Sequence, residues 1–416
     1  MVNRLARKEN ITNSKRSAVF CGYVIITMAI YMLPYTKLVF PYIPVALLML
    51  LSLPALMFLR NEWSVYSVAL MFFTLVLFFF ACFSGLVSAI NDAVRNLRFF
   101  LPILWGAYAV RFCTVKQRKF ILIGFFAVAL LVFVKTNIAL GEDPWIARLL
   151  AQDQSYSSDE INQYRLDNVG GYSFAYMIGA LTVACAYLAL WFKRWWQKVL
   201  MVLCIIGAYT YIIQTMYTTL LLLTTVSIFF LLFFYTKSIG AKIILVLIAV
   251  GVFVGLPPLL QYLSGVFEEG SLLTVKFEQM YNAVSGEGVD ALGGRPQLAK
   301  LALENWIKTP LFGAHYTTPS HSLFLELLQQ NGLVGIAIWL FLYVYTWRFM
   351  YKQLGSRGMN ASLFHIGMIY FTALSVFNDT KYTFEITIAV YFIFPVICSL
   401  LGMPAKKEKL EKRKKI

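Results

Sequence analysis

Residues 199–235 read VLMVLCIIGAYTYIIQTMYTTLLLLTTVSIFFLLFFY, an apolar run interrupted only by Gln214-Thr-Met-Tyr-Thr-Thr219. A bilayer core takes about 20 residues of helix, so this run is nearly twice what one span needs. The interruption predicts a turn, because polar groups at that depth must find water or internal partners. Two spans are therefore expected, at about 197–213 and 217–236. The split decides the topology, since one span in place of two would turn every earlier segment to the opposite side. The flanks support two. Lys193, Arg194 and Lys198 precede the run, and Lys237 and Lys242 follow it. Both ends are thus basic, as cytoplasmic ends are.

Outward from this run, further apolar stretches predict spans at about 18–35, 38–59, 65–90, 97–113, 119–140, 169–192, 240–262, 333–350, 361–378 and 383–402. The expected fold is an all-α polytopic membrane protein of about twelve transmembrane helices. It forms one membrane domain over residues 1–402, followed by a basic cytoplasmic tail over 403–416. Composition agrees: 60% of residues are hydrophobic and only 13% charged, about half the charged share of a soluble domain. On this topology 25 of the 36 Lys and Arg lie on the inner side and 11 on the outer. The acidic residues divide the other way, 4 inside and 16 outside. Both termini are expected in the cytoplasm.

The net charge of +16 does not imply nucleic acid. The basic residues sit in short loops and in the tail, as the positive-inside rule and anionic headgroups require. The six cysteines fall in or beside apolar runs, which excludes an external disulfide framework or a CxxC metal site. The first run has no small-residue cleavage site after it, so it reads as a retained anchor. No glycine-rich phosphate loop or nucleotide-binding domain is present, so work driven by a cytosolic nucleotide is not expected. The two long loops, 141–168 and 263–332, both face outward.

The second loop ends in a polar block from Gly293 to Gly335 that reads as two short amphipathic helices joined by a turn. Over Pro296–Thr309, Leu298, Leu301, Ala302 and Trp306 share one face, with Lys300, Glu304 and Lys308 opposite. Gly293, Gly294 and Arg295 stand at this helix's N-terminus, where free N–H groups and the positive dipole end favour phosphate. Arg295 adds a charged fork suited to bidentate phosphate contact. Snorkelling to the interface, or pairing with Glu287 or Asp290, is the other reading of Arg295. Pro310 stops the helix, and Gly313 with Pro319 marks the turn. His321 then opens a second helix with Leu323, Phe324, Leu327 and Leu328 on one face and Glu326, Gln329 and Gln330 off it. A histidine there can take a proton near neutral pH, although a hydrogen-bonded loop histidine is the commoner case. His315 has weaker surroundings, and His365 reads as structural. No zinc site is expected, since no two histidines share a helical ligand spacing and no cysteine joins them.

Gly294-Arg295, Trp306, Pro310-Leu-Phe-Gly313, His321-Ser322, Glu326 and Gly332-Leu-Val-Gly335 together resemble the O-antigen ligase and polymerase superfamily of bacterial envelope glycosyltransferases. That family shows a Gly-Arg pair, a Trp, a Pro-x-x-Gly turn, a His-Asn and a Gly-x-x-Gly in this order before a late span. The resemblance covers roughly 45 residues closely, and the layout of spans around a large late loop adds to it. It implies a GT-C-like architecture in the bacterial inner membrane, with glycosyl transfer on its outer face. It also implies a glycan donor on undecaprenyl pyrophosphate, a lipid-linked or core-sugar acceptor, and neither metal nor other cofactor. Arg295 would hold the pyrophosphate and His321 would act on the acceptor hydroxyl, with Gly294, Trp306 and Glu326 also expected to bind pyrophosphate or glycan. A chain-length regulator and a flippase are the protein partners such a system implies. Two departures stand out. Ser322 replaces the asparagine after the histidine, and no arginine occurs over Gln214–Thr219, where members often carry a Ser-Arg. Arg165, just before a span, resembles the family's other loop arginine and could supply the second pyrophosphate contact.

The leading expectation is thus a polymerase of lipid-linked repeat units into O-antigen, capsular or exopolysaccharide. A ligase moving finished polymer to lipid A-core or protein shares the same residues. A transporter or flippase of lipid-linked sugar belongs to another class. It would place ionisable residues near the midplane or break helices in paired repeats, whereas here they gather at helix ends and in outer loops. A structural scaffold would leave Arg295 and His321 at that spacing unexplained.

Overall fold

The computed structural model describes residues 18–39, 70, 72–79, 82, 99–143, 146–147, 150, 159–215, 217–267, 272–285, 295–314, 320–355, 359–380 and 383–401. Most of these residues are helical, and no strand occurs among them. In chain order the helices are α1 (Ala18–Met32), α2 (Pro34–Val39), α3 (Pro102–Phe112), α4 (Val115–Glu142), α5 (Asp159–Leu166), α6 (Tyr172–Trp191), α7 (Trp195–Thr215) and α8 (Thr218–Tyr235). There follow α9 (Ile239–Val266), α10 (Leu272–Ser285), α11 (Arg295–Lys308), α12 (Leu323–Gly355) and α13 (Ser362–Phe377). The last is α14 (Phe384–Leu400), which contains a π-helical stretch, Ile388–Ile393. Six of them, α4, α6, α7, α8, α9 and α12, are long and apolar enough to cross a membrane. The chain is an all-α protein of membrane-spanning character.

The long apolar run does divide: α7 ends at Thr215 and α8 begins at Thr218. The spans expected from residue 119 onward each coincide with a helix. Of the earlier ones, 38–59 from residue 40 on and most of 65–90 lie outside the described residues. Within the second loop, α10 is an element that the sequence reading left as connection. Leu273, Phe277, Tyr281 and Val284 at helical spacing were its signal.

Burial sorts the helices into a centre and a rim. Every residue of α3 from Pro102 to Val110 is buried, as is nearly all of α14 and most of the first half of α6. A helix apolar on all sides and enclosed belongs at the middle of a bundle. There Phe99, Trp339, Phe371 and Tyr391 meet, with ring centroids 5.1–5.8 Å apart. By contrast α4, α7, α8 and α9 expose large apolar side chains, such as Leu130, Leu203, Phe230 and Leu247, the faces that acyl chains would cover.

The helix ends fall into two groups at opposite ends of the bundle. At the basic end, a capping box starts α4: Gln117 N–H donates to Thr114 Oγ1 at 3.3 Å and Thr114 N–H to Gln117 Oε1 at 2.8 Å. One turn on, buried Arg118 donates to the carbonyls of Ala109 (3.1 Å), Val110 (2.8 Å) and Ser399 (3.5 Å). Those oxygens lie in the last turns of α3 and α14, where a cation suits the negative end of a helix; Ala109 O is shared with the N–H of Cys113, 3.2 Å away. The opposite end carries the candidate residues.

Candidate functional site

The block after Arg295 is held together by its turn. In α11, Ala302 and Asn305 are buried and Leu298 and Trp306 half-buried, while Lys300, Glu304 and Lys308 face out. Leu301, expected on the apolar face, is exposed. Trp306 Nε1 donates to Pro310 O at 3.0 Å, and Gly313 N–H to Thr309 O at 2.9 Å. The resulting Pro310-Leu-Phe-Gly313 turn lies across a break in α12 at Gly332, whose φ is 64° and ψ −166°. A helix starting afresh after such a break has unpaired N–H groups. Here Leu333 and Val334 donate to Pro310 O (2.9 Å) and Leu311 O (3.1 Å), so the turn caps the membrane limb of α12.

Contact at this join is close. A Cβ on Gly313 (φ 77°) would lie 2.4 Å from Gln330 O, and one on Gly332 2.4 Å from Leu311 O. The Gly332 conformation is one that essentially only glycine adopts. Gly332→Ala is therefore expected to destabilise the protein by about 2–4 kcal/mol, from backbone strain and overpacking together. A fall in detergent-solubilised thermal unfolding temperature would register it, and an unchanged temperature would refute the capping role.

The short limb of α12 departs from the sequence reading in two ways. Gln329, Gln330 and Glu326 were placed off the buried face, yet all three are buried, Gln329 completely. The reason is the turn, which covers that side; Ala314 N–H donates to Gln329 O at 2.8 Å. Nor does His321 open the helix. It adopts a left-handed conformation, φ 54°, and Ser322 stands at the helix start, its carbonyl accepting from Glu326 N–H at 2.9 Å.

Non-glycine residues rarely occupy this region, and a strained residue persists only where its surroundings determine it. Those surroundings are specific. Glu326 Oε1 accepts from Ser320 N–H at 3.4 Å, and Ser320 Oγ donates to Ser322 O at 3.3 Å. Leu323 N–H donates to Asn378 O at 3.3 Å. Ser320 and Ser322 are buried while His321 between them is exposed. The fold thus presents His321 at the bundle end from a fixed backbone.

Beneath it lies a buried polar layer that sequence reasoning missed. Asn378 Oδ1 accepts from Tyr176 Oη at 2.6 Å. Ser173 Oγ donates to the Glu385 carboxylate, which is 4% exposed. Ser173 sits in the first turn of α6 and Glu385 in the first turn of α14, so two positive helix ends meet the carboxylate. Ser375 and Thr380 share a hydrogen bond of 2.7 Å beside them. A signal existed: Glu385 is the only acidic residue inside any of the twelve expected spans, and such residues usually have work to do.

Arg165 lies in the last turn of α5, which packs on α2. After it Asn168 turns left-handed, φ 63°, and its Oδ1 accepts from Tyr35 N–H at 3.2 Å. Gly170 N–H then donates to Thr136 Oγ1 at 2.8 Å, leading into α6. Arg165 is half-buried, and burial lowers its pKa, though a guanidinium stays charged at any working pH. The structure therefore ties both the Pro310–Gly313 turn under Trp306 and the His321 turn, through Glu326, to α12, while Arg165 belongs to a separate group of contacts around Asn168. Arg295 opens α11; Gly294 and His315 lie outside the described residues. His365 Nδ1 accepts from Trp347 Nε1 at 2.8 Å in the opposite half of the bundle. Among the described residues no group of three His, Cys, Asp or Glu side chains could hold a metal ion.

No protein-family model matches this chain, and no curated protein matches it either.

Proposed function

We propose that this protein is a metal-independent membrane glycosyltransferase that joins undecaprenyl-pyrophosphate-linked repeat units into an O-antigen, capsular or exopolysaccharide chain. The observation that carries the reading is the His321 turn, a strained, exposed histidine fixed by the Glu326 carboxylate and the Asn378 carbonyl. The reaction needs two things from the protein. A base must take the proton from the acceptor hydroxyl as its oxygen bonds to the anomeric carbon, and His321 is that base. A cation must meet the charge left on the lipid pyrophosphate as the glycosidic C–O bond breaks, which is the work of Arg295. Gly294, the residue before Arg295 in sequence, belongs to the same proposed pyrophosphate site. Glu326 and Trp306 hold the histidine and the turn in position, and Arg165 is the second pyrophosphate contact.

The test is in cells that make the native glycan, with the chain's gene deleted and restored. Deletion should reduce the ladder of polymer to single repeat units. Polymer of normal length that fails to attach to its final acceptor would point to the ligase reading, and intact, attached polymer would sink both. Arg165→Ala should lower polymer formation about 100-fold, as loss of one charge-stabilising donor does, with protein level unchanged. Full activity in that variant would leave the pyrophosphate to Arg295 alone.

A further inference from the structure

The basic end of the bundle holds a feature that glycosyl transfer does not use. A groove of about 580 Å³ opens between α6, α8 and α13. Leu223, Phe230 and Phe234 of α8 form one wall, and Ile366, Ile369 and Ala373 of α13 the other. The Phe230 and Phe234 rings stack, centroids 6.2 Å apart, so the α8 wall is continuous. The groove runs along α13 from Ala373 to Ser362, about 16 Å of helix. That is half of a hydrocarbon core about 30 Å thick, one leaflet deep.

At its lower end the lining turns polar. Asn360 Nδ2 donates to Tyr187 Oη at 3.1 Å, Ser362 Oγ to Asn360 Oδ1 at 2.6 Å, and Tyr235 Oη to Leu190 O at 3.0 Å. Just beyond stand Lys193 and Arg194, on the turn after α6, and Lys237, on the turn after α8; all three are exposed. None is paired with a carboxylate among the described residues. Lys242 Nζ, 5.1 Å from the Phe233 ring centroid, adds a fourth positive charge nearby.

An apolar slot one leaflet deep, then a hydroxyl-and-amide step, then unpaired cations repeats the order of groups along a phospholipid. We propose that this groove binds an anionic glycerophospholipid, one acyl chain between α8 and α13 and the phosphate among Lys193, Arg194 and Lys237. The charges select the occupant. A zwitterionic lipid would fill the slot equally well but would gain little from the cations, whereas each basic residue near the surface is worth about fivefold in affinity for an anionic headgroup.

Native mass spectrometry of the full-length protein, equilibrated in detergent with equal phosphatidylglycerol and phosphatidylcholine, tests this directly. The wild type should retain phosphatidylglycerol in preference by about 100-fold, the product of three such cations. Arg194→Gln with Lys237→Gln, both at exposed positions, should lower phosphatidylglycerol retention about 25-fold and leave a preference of only about fivefold, from Lys193. Ala373→Trp, which fills the groove and leaves the charges alone, should lower retention of both lipids. Equal retention by the wild type, a preference undiminished in the double variant, or displacement of the phosphatidylglycerol by a polyprenyl phosphate would each overturn the proposal.

Discussion

His321→Asn is expected to leave the protein folded and cut polymer formation by about 100- to 10,000-fold, the usual worth of a positioned general base. Asparagine is the informative replacement because of the backbone. His321 has a φ of 54°, and asparagine tolerates the left-handed region where alanine is strained by about 1–2 kcal/mol. The substitution therefore removes the base and keeps the turn, with Ser320 still bonded to Glu326 and Leu323 to Asn378. Activity and unfolding temperature should be measured on the same preparation. Loss of activity at an unchanged temperature supports a chemical role. Full activity in His321→Asn would mean that position 321 is left-handed for structural reasons alone, and the base would have to be sought elsewhere. Glu326→Gln separates positioning from chemistry. It keeps an oxygen to accept from Ser320 N–H, so most of the activity should survive.

What could be read from residues alone was whatever depends on local order. The polar interruption after Ile213 marks the α7–α8 turn, because a buried polar stretch has few other places to be. Trp306, Pro310 and Gly313 announce a helix and its stop. The covering of Gln329 and Gln330 could not be read, since amphipathic spacing says which faces of a helix differ and nothing of a turn that folds back over the polar one. The turn that carries the left-handed His321 is tied through Leu323 N–H to Asn378, which arrives from the far end of α13. The Ser173–Glu385 and Tyr176–Asn378 contacts likewise join segments distant in sequence. Each such pairing is a consequence of helix packing, and one sequence carries no direct record of it. Glu385 was visible as an ionisable residue in a span, and its burial between two helix N-termini is what makes it more than a helix-end charge.

Arg295→Ala separates structure from function with unusual clarity, because of where the arginine stands. It is the first residue of α11, at the positive end of the helix dipole, where a cation is unfavourable to the helix itself. Removing it should leave thermal stability unchanged or slightly raised. In the proposed function the ligand that offsets this cost is a pyrophosphate, bound by the same N–H groups that the dipole makes attractive. Activity should then fall about 1,000-fold, as when a preorganised donor is withdrawn from a developing charge. Arg295→Lys keeps the charge and loses the planar fork, so it should recover only part of the rate. Two outcomes would count against the pyrophosphate role: full rate in Arg295→Ala, or a loss of rate that follows a matching loss of stability. The second would place Arg295 among the groups that hold α11, with snorkelling or a carboxylate partner as its reason for being there.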